Sequence, residues 1–458
     1  MKILHVNQSA GRGGAAGICL ALHRALLTWG YESAVLVGRQ TGELPCVRLI
    51  EHDRYRSVWG RSWMAAARRL NQYSGRIRGA QRVSERWLPR LASPRRFWSW
   101  WAGQEDFDFP GTRHLLEQTP FSPDVLHLHN LHGDYFDLRE LPRLSKMLPT
   151  VVTLHDAWML SGHCVHSLDC QLWMTGCTTC PYLTLERPLY RDGAARNWSA
   201  KQRIYLHSSL HIVCPSQWLS DRVASSDLHG AVQSTHVIPN GIDTKVFKKT
   251  SKVAAKAGLG LPSGPPMVLV SAENLANSTI WPFIRDSATL RTALARVAAL
   301  PLGKQVTFCA VGKANLGAQE GQAKIMQLPA QETPAAMARI YQAADVYVHS
   351  MCADNYPTSV LESLACGTPV VASSVGGIPE QLRHGVTGFL VAARDVDCLV
   401  SSLHELLMRD ELRRKMGEAA AFDAQNRFGL DRMLNGYLSV YQTAVEEFGG
   451  VSPKMATP

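Results

Sequence analysis

Long apolar runs are missing from this chain: no stretch of its 458 residues approaches the ~20 uninterrupted apolar residues of a membrane-spanning helix. The first apolar run, residues 3–6, is far shorter than the core of a secretory signal and leads straight into a glycine turn, so a cytoplasmic protein is expected. Cysteine is present without forming a framework. The eleven are odd in number, and seven stand singly, often within apolar runs (Cys19, Cys214, Cys309, Cys366), which suits a reducing compartment. Charged residues make up 19% against 46% hydrophobic, which excludes wholesale disorder and allows a large core. No repeat of solenoid period is visible, and the length implies about two domains, not a hormone, a disulfide knot or a single small binding module.

The formal net charge is +10, and it is concentrated. Residues 52–101 hold twelve arginines, no lysine and two acids (Asp53, Glu85), so the rest of the chain is formally neutral; the same stretch holds six of the twelve tryptophans. Arginine with interfacial tryptophan is the pattern of a contact with an anionic membrane. A solvated or partner-facing insertion is the alternative, and nucleic-acid binding is disfavoured because no nucleic-acid fold signature accompanies the charge.

Short Val/Ile/Leu-rich runs alternate with helical patterns. Strands are expected at 2–7, 34–37, 125–129, 151–155, 211–214 and 236–239, and, after a Lys/Gly/Pro-rich linker at 245–266, at 267–271, 306–311, 346–349, 369–372 and 389–391. Helices are expected at 15–29, 284–299, 334–343, 358–366, 396–407 and 431–447. Strands apolar on both faces with helices between them imply parallel sheets of Rossmann type, in two α/β domains separated by a cleft. The divisions are 1–244, with insertions at about 52–101 and 161–182, then 245–430, and a terminal helix and frayed tail at 431–458.

Two strings carry chemistry. Asn7-Gln-Ser-Ala-Gly11-Arg-Gly13-Gly14 follows the first strand and opens a helix, so backbone amides and the helix's positive end favour a phosphate or polar sugar. It is no dinucleotide fingerprint, since Ala16 takes the third glycine position; an NADP reading through Arg39 and a purely structural turn are the alternatives. The second string runs from Asp354-Asn355-Tyr-Pro357 through Glu362 to Gly367, then Gly376-Gly377-Ile-Pro-Glu380. Pro357 and Gly367 bracket a helix, placing Asp354 just before it and Glu362 in its second turn. Carboxylates accept hydrogen bonds from sugar and ribose hydroxyls, while free amides and the helix dipole hold a diphosphate.

These strings, with Val237-Ile-Pro-Asn240-Gly-Ile-Asp243, resemble the retaining glycosyltransferases of family 4, which have the GT-B fold of two Rossmann-like domains. Thr153-Leu-His155-Asp-Ala-Trp-Met-Leu-Ser-Gly-His163-Cys164 is similar to bacterial exopolysaccharide and lipopolysaccharide enzymes of colanic-acid type. The resemblance covers nearly the whole chain apart from the Arg/Trp stretch. It implies that Asp354 and Glu362 stand at the ends of the family's E-x7-E motif, touching the transferred sugar and the ribose. It also implies that His155 approaches the donor sugar and that Gly13 and Gly14 touch the donor phosphates or the acceptor. Asn240, Asn355 and Gly377 join the expected donor-binding set. Retention of configuration and chemistry without a metal or other cofactor follow from the same resemblance.

Two departures stand out. The first acid is Asp, one methylene shorter than Glu. The family's basic pair at the start of the second domain is replaced by Ala272-Glu-Asn-Leu-Ala-Asn-Ser-Thr-Ile-Trp281, with no cation to neutralise the departing diphosphate; Arg285 and Lys313 are the candidates to substitute. Cys164, Cys170, Cys177 and Cys180, with His163 and His166 beside them, suggest a closed structural zinc site, with free thiols or a redox pair as alternatives. The expectation is a cytoplasmic, peripherally membrane-bound glycosyltransferase acting on a nucleotide sugar and a glycan or lipid-linked glycan acceptor. A binding-only GT-B scaffold and a sugar-nucleotide epimerase are the rivals.

Overall fold

A computed structural model describes residues 1–11, 13–39, 44–77, 79–183, 191–276, 283–313 and 325–450. The chain forms two compact units. The first comprises Met1–Cys214, Ser220–Val237 and the chain from Gly436 onward; the second comprises Pro215–Leu219 and Ile238–Asn435.

In the first unit, β1 (Lys2–Ser9), β2 (Glu32–Arg39), β3 (Val47–Leu49), β4 (Val125–His129), β5 (Thr150–Thr153), β6 (Leu210–Cys214) and β7 (Val232–Val237) form one parallel sheet in the order β3-β2-β1-β4-β5-β6-β7. Ile3, Leu4, Val6, Leu36, Leu126 and Leu128 are buried, as strands covered on both faces require. The Arg/Trp stretch lies between β3 and β4 and is helical. Val58–Asn71 is one helix, Ala80–Arg82, Val83–Trp87 and Leu88–Leu91 run end to end, and Pro94–Trp101 is another.

The second unit repeats the pattern with β8 (Met267–Ser271), β9 (Thr307–Val311), β10 (Ile325–Leu328), β11 (Val346–His349), β12 (Val370–Ser373) and β13 (Gly388–Val391) in the parallel order β10-β9-β8-β11-β12-β13. Its core is two clusters, one on each face of the sheet. Leu269, Val360 and Leu364 belong to one, and Val268, Val270, Leu294 and Leu403 to the other.

Several sequence expectations change. β3 and β10 have no apolar run to mark them: they are edge strands of three and four residues in which only Val47 is fully buried. The expected linker at 245–266 contains the helix Lys252–Gly258, capped by Ser251. Its lysine content misled, because the Lys256 ammonium is buried, donating to Asp345 at 2.7 Å and to the Pro265 carbonyl at 2.8 Å. The strand expected at 151–155 stops at Thr153, which leaves His155 in the connection that follows it.

Candidate active site

Each parallel sheet has a point where the strand order reverses, between β1 and β4 in the first unit and between β8 and β11 in the second. Ligands of open α/β sheets bind outside the carboxyl ends of the strands there, because neighbouring connections leave to opposite faces and open a crevice. Gly13 and Gly14 follow β1, and Asp354, Asn355 and Glu362 follow β11, at these two points.

In the second unit, β11 ends at His349 and the connection to the helix Thr358–Ala365 carries Asp354. His349 Nε2 lies 3.0 Å from Asp354 Oδ2, and its Nδ1 lies 3.2 Å from the Tyr347 hydroxyl, so the strand end fixes the aspartate. The glycine pair explains itself by contact. Gly376 has φ +56° and a Cβ there would lie 1.8 Å from the Asp354 carbonyl oxygen; one on Gly377 would lie 2.5 Å from that of Asn355. Gly377 N–H donates to the Asn355 carbonyl at 2.8 Å, and the Ser216 hydroxyl to Asn355 Oδ1 at 3.3 Å. Asn240 is buried and its amide donates to the Tyr356 carbonyl at 3.1 Å, so it braces the same connection from behind. Glu380 accepts from the backbone N–H groups of Gln217 and Trp218 at 2.7 and 2.8 Å, capping the helix Gln217–Ala224.

Glu362 lies in the second turn of its helix, partly buried, and receives a hydrogen bond from the Tyr341 hydroxyl. Burial pushes its carboxyl up to about 7. Glu273, just past β8, escaped the sequence reasoning, which looked there for a base. It accepts from the Ser271 hydroxyl at 2.7 Å and from the Lys313 N–H at 3.4 Å. A Cβ on Gly312 (φ +138°) would lie 2.6 Å from its carboxylate. Arg285 is partly buried within reach of the Glu273 charge, burial lowering its pKa and the carboxylate opposing that; Lys313 is exposed. Residues 277–282, which include Ile280 and Trp281 where the family's basic pair was sought, lie outside the described residues.

In the first unit, Gly13 has φ +130° and caps the helix Gly14–Thr28, its carbonyl accepting from Gly17 at 2.9 Å. A Cβ on Gly13 or Gly14 meets nothing within 4 Å, so left-handed backbone, not crowding, calls for glycine at 13. His155, half-buried, follows β5. Its neighbour Asp156 receives the His132 ring at 2.7 Å and the Trp158 N–H at 2.9 Å. Burial pushes the Asp156 carboxyl up, but His132, the Trp158 N–H and His166 together outweigh it and hold it at about 2. Beneath His155 lies a group that sequence reasoning missed. His5 on β1 and His127 and His129 on β4 are wholly buried, and their signal was polar residues alternating through strands otherwise apolar. Burial pushes His155 down to about 4 and His5 to about 3.

The first unit also holds a cavity of about 400 Å³ between the Arg/Trp insertion and the connections after β4 and β5. Its lining includes Arg90, Trp100, Glu105, Asp106, His132 and Trp158. Several of the arginines face inward. Arg56 is held by Asp108 (3.2 Å) and Asp53 (3.5 Å), Arg96 by Asp106, and Arg90 stacks 4.3 Å from the Trp100 ring centre. Cys164, Cys170, Cys177 and Cys180 line one small cavity, and none is in a disulfide. Gly162 N–H donates to Cys177 Sγ at 3.2 Å. Among the described residues, the one set of three His, Cys, Asp or Glu ligand atoms all within 4.8 Å of one another is His5, Cys19 and His129, so no three of the four sulfurs lie that close together.

Two parallel-sheet α/β units of this kind define the GT-B fold class. The family model described as Glycosyltransferase Family 4 matches residues 12–246, and that described as Glycosyl transferases group 1 matches residues 292–422. The chain belongs to Glycosyltransferase Family 4.

Its relatives include the putative colanic acid biosynthesis glycosyl transferase WcaC of Escherichia coli K12, 26% identical over 96% of this chain and 100% of that protein. The D-inositol 3-phosphate glycosyltransferase of Mycolicibacterium paratuberculosis is 33% identical over 46% of this chain and 48% of its own length, so the chain spans about half of that relative. Among solved structures, sucrose-phosphate synthase from Thermosynechococcus elongatus shares the fold with TM-score 0.61 at 15% identity, covering 98% of this chain and 100% of that one. HepE from Anabaena, solved in complex with UDP-glucose, does so with TM-score 0.56 at 16% identity over 98% and 100%.

Proposed function

We propose that this glycosyltransferase moves a sugar, with retention, from a nucleotide-sugar donor to a glycan or lipid-linked glycan acceptor in the synthesis of a bacterial surface polysaccharide. The observation that carries the reading is the cradle around Asp354. A carboxylate fixed by His349 sits ahead of a helix that presents Glu362, and two glycines whose missing Cβ atoms leave room for the backbone close against it. In this reading Asp354 accepts hydrogen bonds from hydroxyls of the transferred sugar and Glu362 from the ribose. Asn355 and Gly377 shape the backbone around them. Gly13 and Gly14 close over the donor, and His155 approaches its sugar. Arg285 and Lys313 offset the charge of the departing diphosphate, with Glu273 accepting from the Lys313 backbone N–H and acting on Arg285 through its charge. The likeness to WcaC supports the pathway class, and the fold shared with HepE, solved with UDP-glucose, is consistent with such a donor.

For the acceptor, the 400 Å³ cavity offers indole faces for sugar C–H groups and carboxylates for hydroxyls. The insertion also exposes Trp59 and Trp98, each about 60%, beside exposed Arg61, Arg69 and Arg95; these would rest on an anionic membrane inner face and bring the chain to a lipid-linked substrate. No described helix is long and apolar enough to cross a membrane. The four cysteines would close on a structural zinc. Four thiolates would hold it through Zn–S bonds of about 2.3 Å, and the Gly162 N–H bond to Cys177 suits one of them.

Mass spectrometry after incubation with a panel of sugar nucleotides and membrane lipid extract tests the central reading. Donor loss with a glycosylated lipid supports transfer; an isomerised donor would mean an epimerase, and a folded protein with no turnover a scaffold. Unchanged transfer in both Asp354→Ala and Glu362→Ala would overturn the site assignment. Metal analysis of protein purified under reducing conditions is expected to find one zinc per chain, lost in Cys177→Ser; none would rule out the zinc. Sedimentation with vesicles containing phosphatidylglycerol should exceed that with neutral vesicles, and equal binding would remove the membrane role.

A further inference from the structure

A second cavity in the first unit, of about 610 Å³, shares a wall with the 400 Å³ cavity: Gln104, Glu105, Asp106 and Phe107 line both. Its other walls bring four arginines together from separate parts of the chain. Arg95 comes from the helix Pro94–Trp101, Arg139 from the turn Leu138–Glu140, and Arg196 and Arg203 from the helix Ala194–Tyr205. Arg196, Ser199, Ala200 and Arg203 follow the i, i+3, i+4, i+7 spacing of one helical face. That face therefore lines the cavity with an arginine at each end and two small side chains between them.

The three carboxylates of the lining are already matched. Glu105 lies 3.6 Å from the Lys201 ammonium, Asp106 pairs with Arg96, and Asp108 pairs with Arg56 at 3.2 Å; none of these three cations lines the cavity. Arg139 is held by Asp137 at 2.7 Å and donates to the Phe107 carbonyl at 3.2 Å. Arg95, Arg196 and Arg203 are exposed and, among the described residues, have no side-chain hydrogen bond, ion pair or ring partner. Like charges facing one open space repel, and no carboxylate of the lining is left to offset them. The spare hydrogen-bonding capacity of the cavity is weighted toward donors, so its ligand must be anionic and rich in acceptors. A carboxylate fills one guanidinium fork. A diphosphate offers oxygens in several directions and enough charge for arginines on more than one element.

We propose that this cavity binds a diphosphate group, held by Arg95, Arg139, Arg196 and Arg203. The group is borne either by a compound free in solution or by a lipid; the exposed Trp98, on the same helix as Arg95, suits a lipid. The reading of function given above enters only in naming a lipid-linked acceptor as one bearer. Phenylglyoxal modifies unpaired guanidinium groups, and mass spectrometry of the digested full-length protein reports each arginine separately. Inorganic pyrophosphate is expected to protect Arg95, Arg196 and Arg203 at concentrations where sodium chloride of equal ionic strength does not. The concentration that half-protects Arg203 should rise about tenfold in Arg196→Ala. It should not change in Arg24→Ala, which removes an exposed charge from another helix of the same unit. Phosphatidylcholine vesicles with and without a prenyl diphosphate separate the bearers. Protection by the lipid diphosphate stronger than by pyrophosphate assigns a lipid, and protection no stronger assigns a soluble diphosphate. Absence of protection by both probes, equal protection by chloride, or an Arg196→Ala curve that coincides with that of the unaltered protein overturns the proposal. No protection with transfer intact would strike this site alone, and protection without transfer would strike the reading of function alone.

Discussion

Replacing Glu362 with glutamine should make the protein more stable above neutral pH while it weakens function. The carboxyl lies on the helix Thr358–Ala365 between buried Leu361 and Ser363, with the Tyr341 hydroxyl as its partner, and burial raises it from 4.5 to about 7. A carboxyl whose pKa is higher in the folded state penalises the fold in its ionised form. The penalty is absent below the unfolded value of 4.5, grows between 4.5 and about 7, and is complete above that. The full shift corresponds to about 3 kcal/mol, and the side chain's remaining access to water reduces this to about 1–2 kcal/mol. Glutamine is neutral, has nearly the same shape and still accepts from Tyr341. Glu362→Gln is therefore expected to melt a few degrees above the unaltered protein at pH 8 and together with it at pH 4.5, at about 2–4 °C per kcal/mol. Calorimetric melts of both proteins from pH 4.5 to 8.5 measure this. A variant less stable at pH 8, or a gain independent of pH, would refute the burial argument. A stabilised variant that has lost donor turnover would mean that the acid is kept at the expense of the fold, as expected of a group that must meet ribose hydroxyls.

Three further outcomes follow from contacts. Gly376→Ala drives a Cβ into the Asp354 carbonyl and strains a left-handed backbone, so donor KM should rise about tenfold or more with stability lowered by about 1–3 kcal/mol; unchanged kinetics would detach the glycine pair from the cradle. Lys256→Ala takes the nearest cation from the buried Asp345 carboxylate, which keeps Arg413 at 3.7 Å and the Met267 N–H at 2.9 Å, costing about 1–3 kcal/mol, and adding Asp345→Asn should recover part of it; strictly additive losses in denaturant melts would show that the pair is not coupled. Arg56→Ala, which removes the buried partner of Asp108, should open 57–101 to limited proteolysis. Arg69→Ala, at an exposed site, should leave proteolysis unchanged and weaken only sedimentation with anionic vesicles.

Most of the strands that build the two sheets were legible because burial on both faces makes them mostly apolar, the buried histidines of β1 and β4 excepted, and that leaves a run of Val, Ile and Leu whatever lies next to it. Edge strands β3 and β10 escape that requirement and left no run. The Asp354–Glu362 string was legible for a related reason. A proline before a helix and a glycine after it are local constraints, so the acids could be placed along the chain without knowing the fold. Their partners could not. Tyr341 reaches Glu362 from another helix and Glu273 meets the Lys313 backbone across two strands, contacts that only the tertiary fold creates, and even His349, five residues before Asp354, is turned onto it by the end of its strand.

The twelve arginines show most clearly where local reading fails. By composition they are one class, and counting them against Asp53 and Glu85 makes the stretch a uniformly basic face. Folding divides them. Arg56 and Arg96 turn inward to Asp108 and Asp106, acids that lie just past the counted stretch, and Arg90 stacks on Trp100 against the same cavity. Arg61, Arg69, Arg76, Arg82 and Arg95 remain exposed. Arg56 and Arg96 have their charge already matched and contribute little to long-range attraction, while Arg96 and Arg90 line the cavity. Any pull toward anionic lipid rests on the outward group, whose interaction is screened within about 8 Å at physiological salt. Vesicle binding should therefore fall steeply with added salt, while the cavity, held by partly buried pairs, should not. A salt-insensitive association would assign the contact to the exposed Trp59 and Trp98 instead of the arginines.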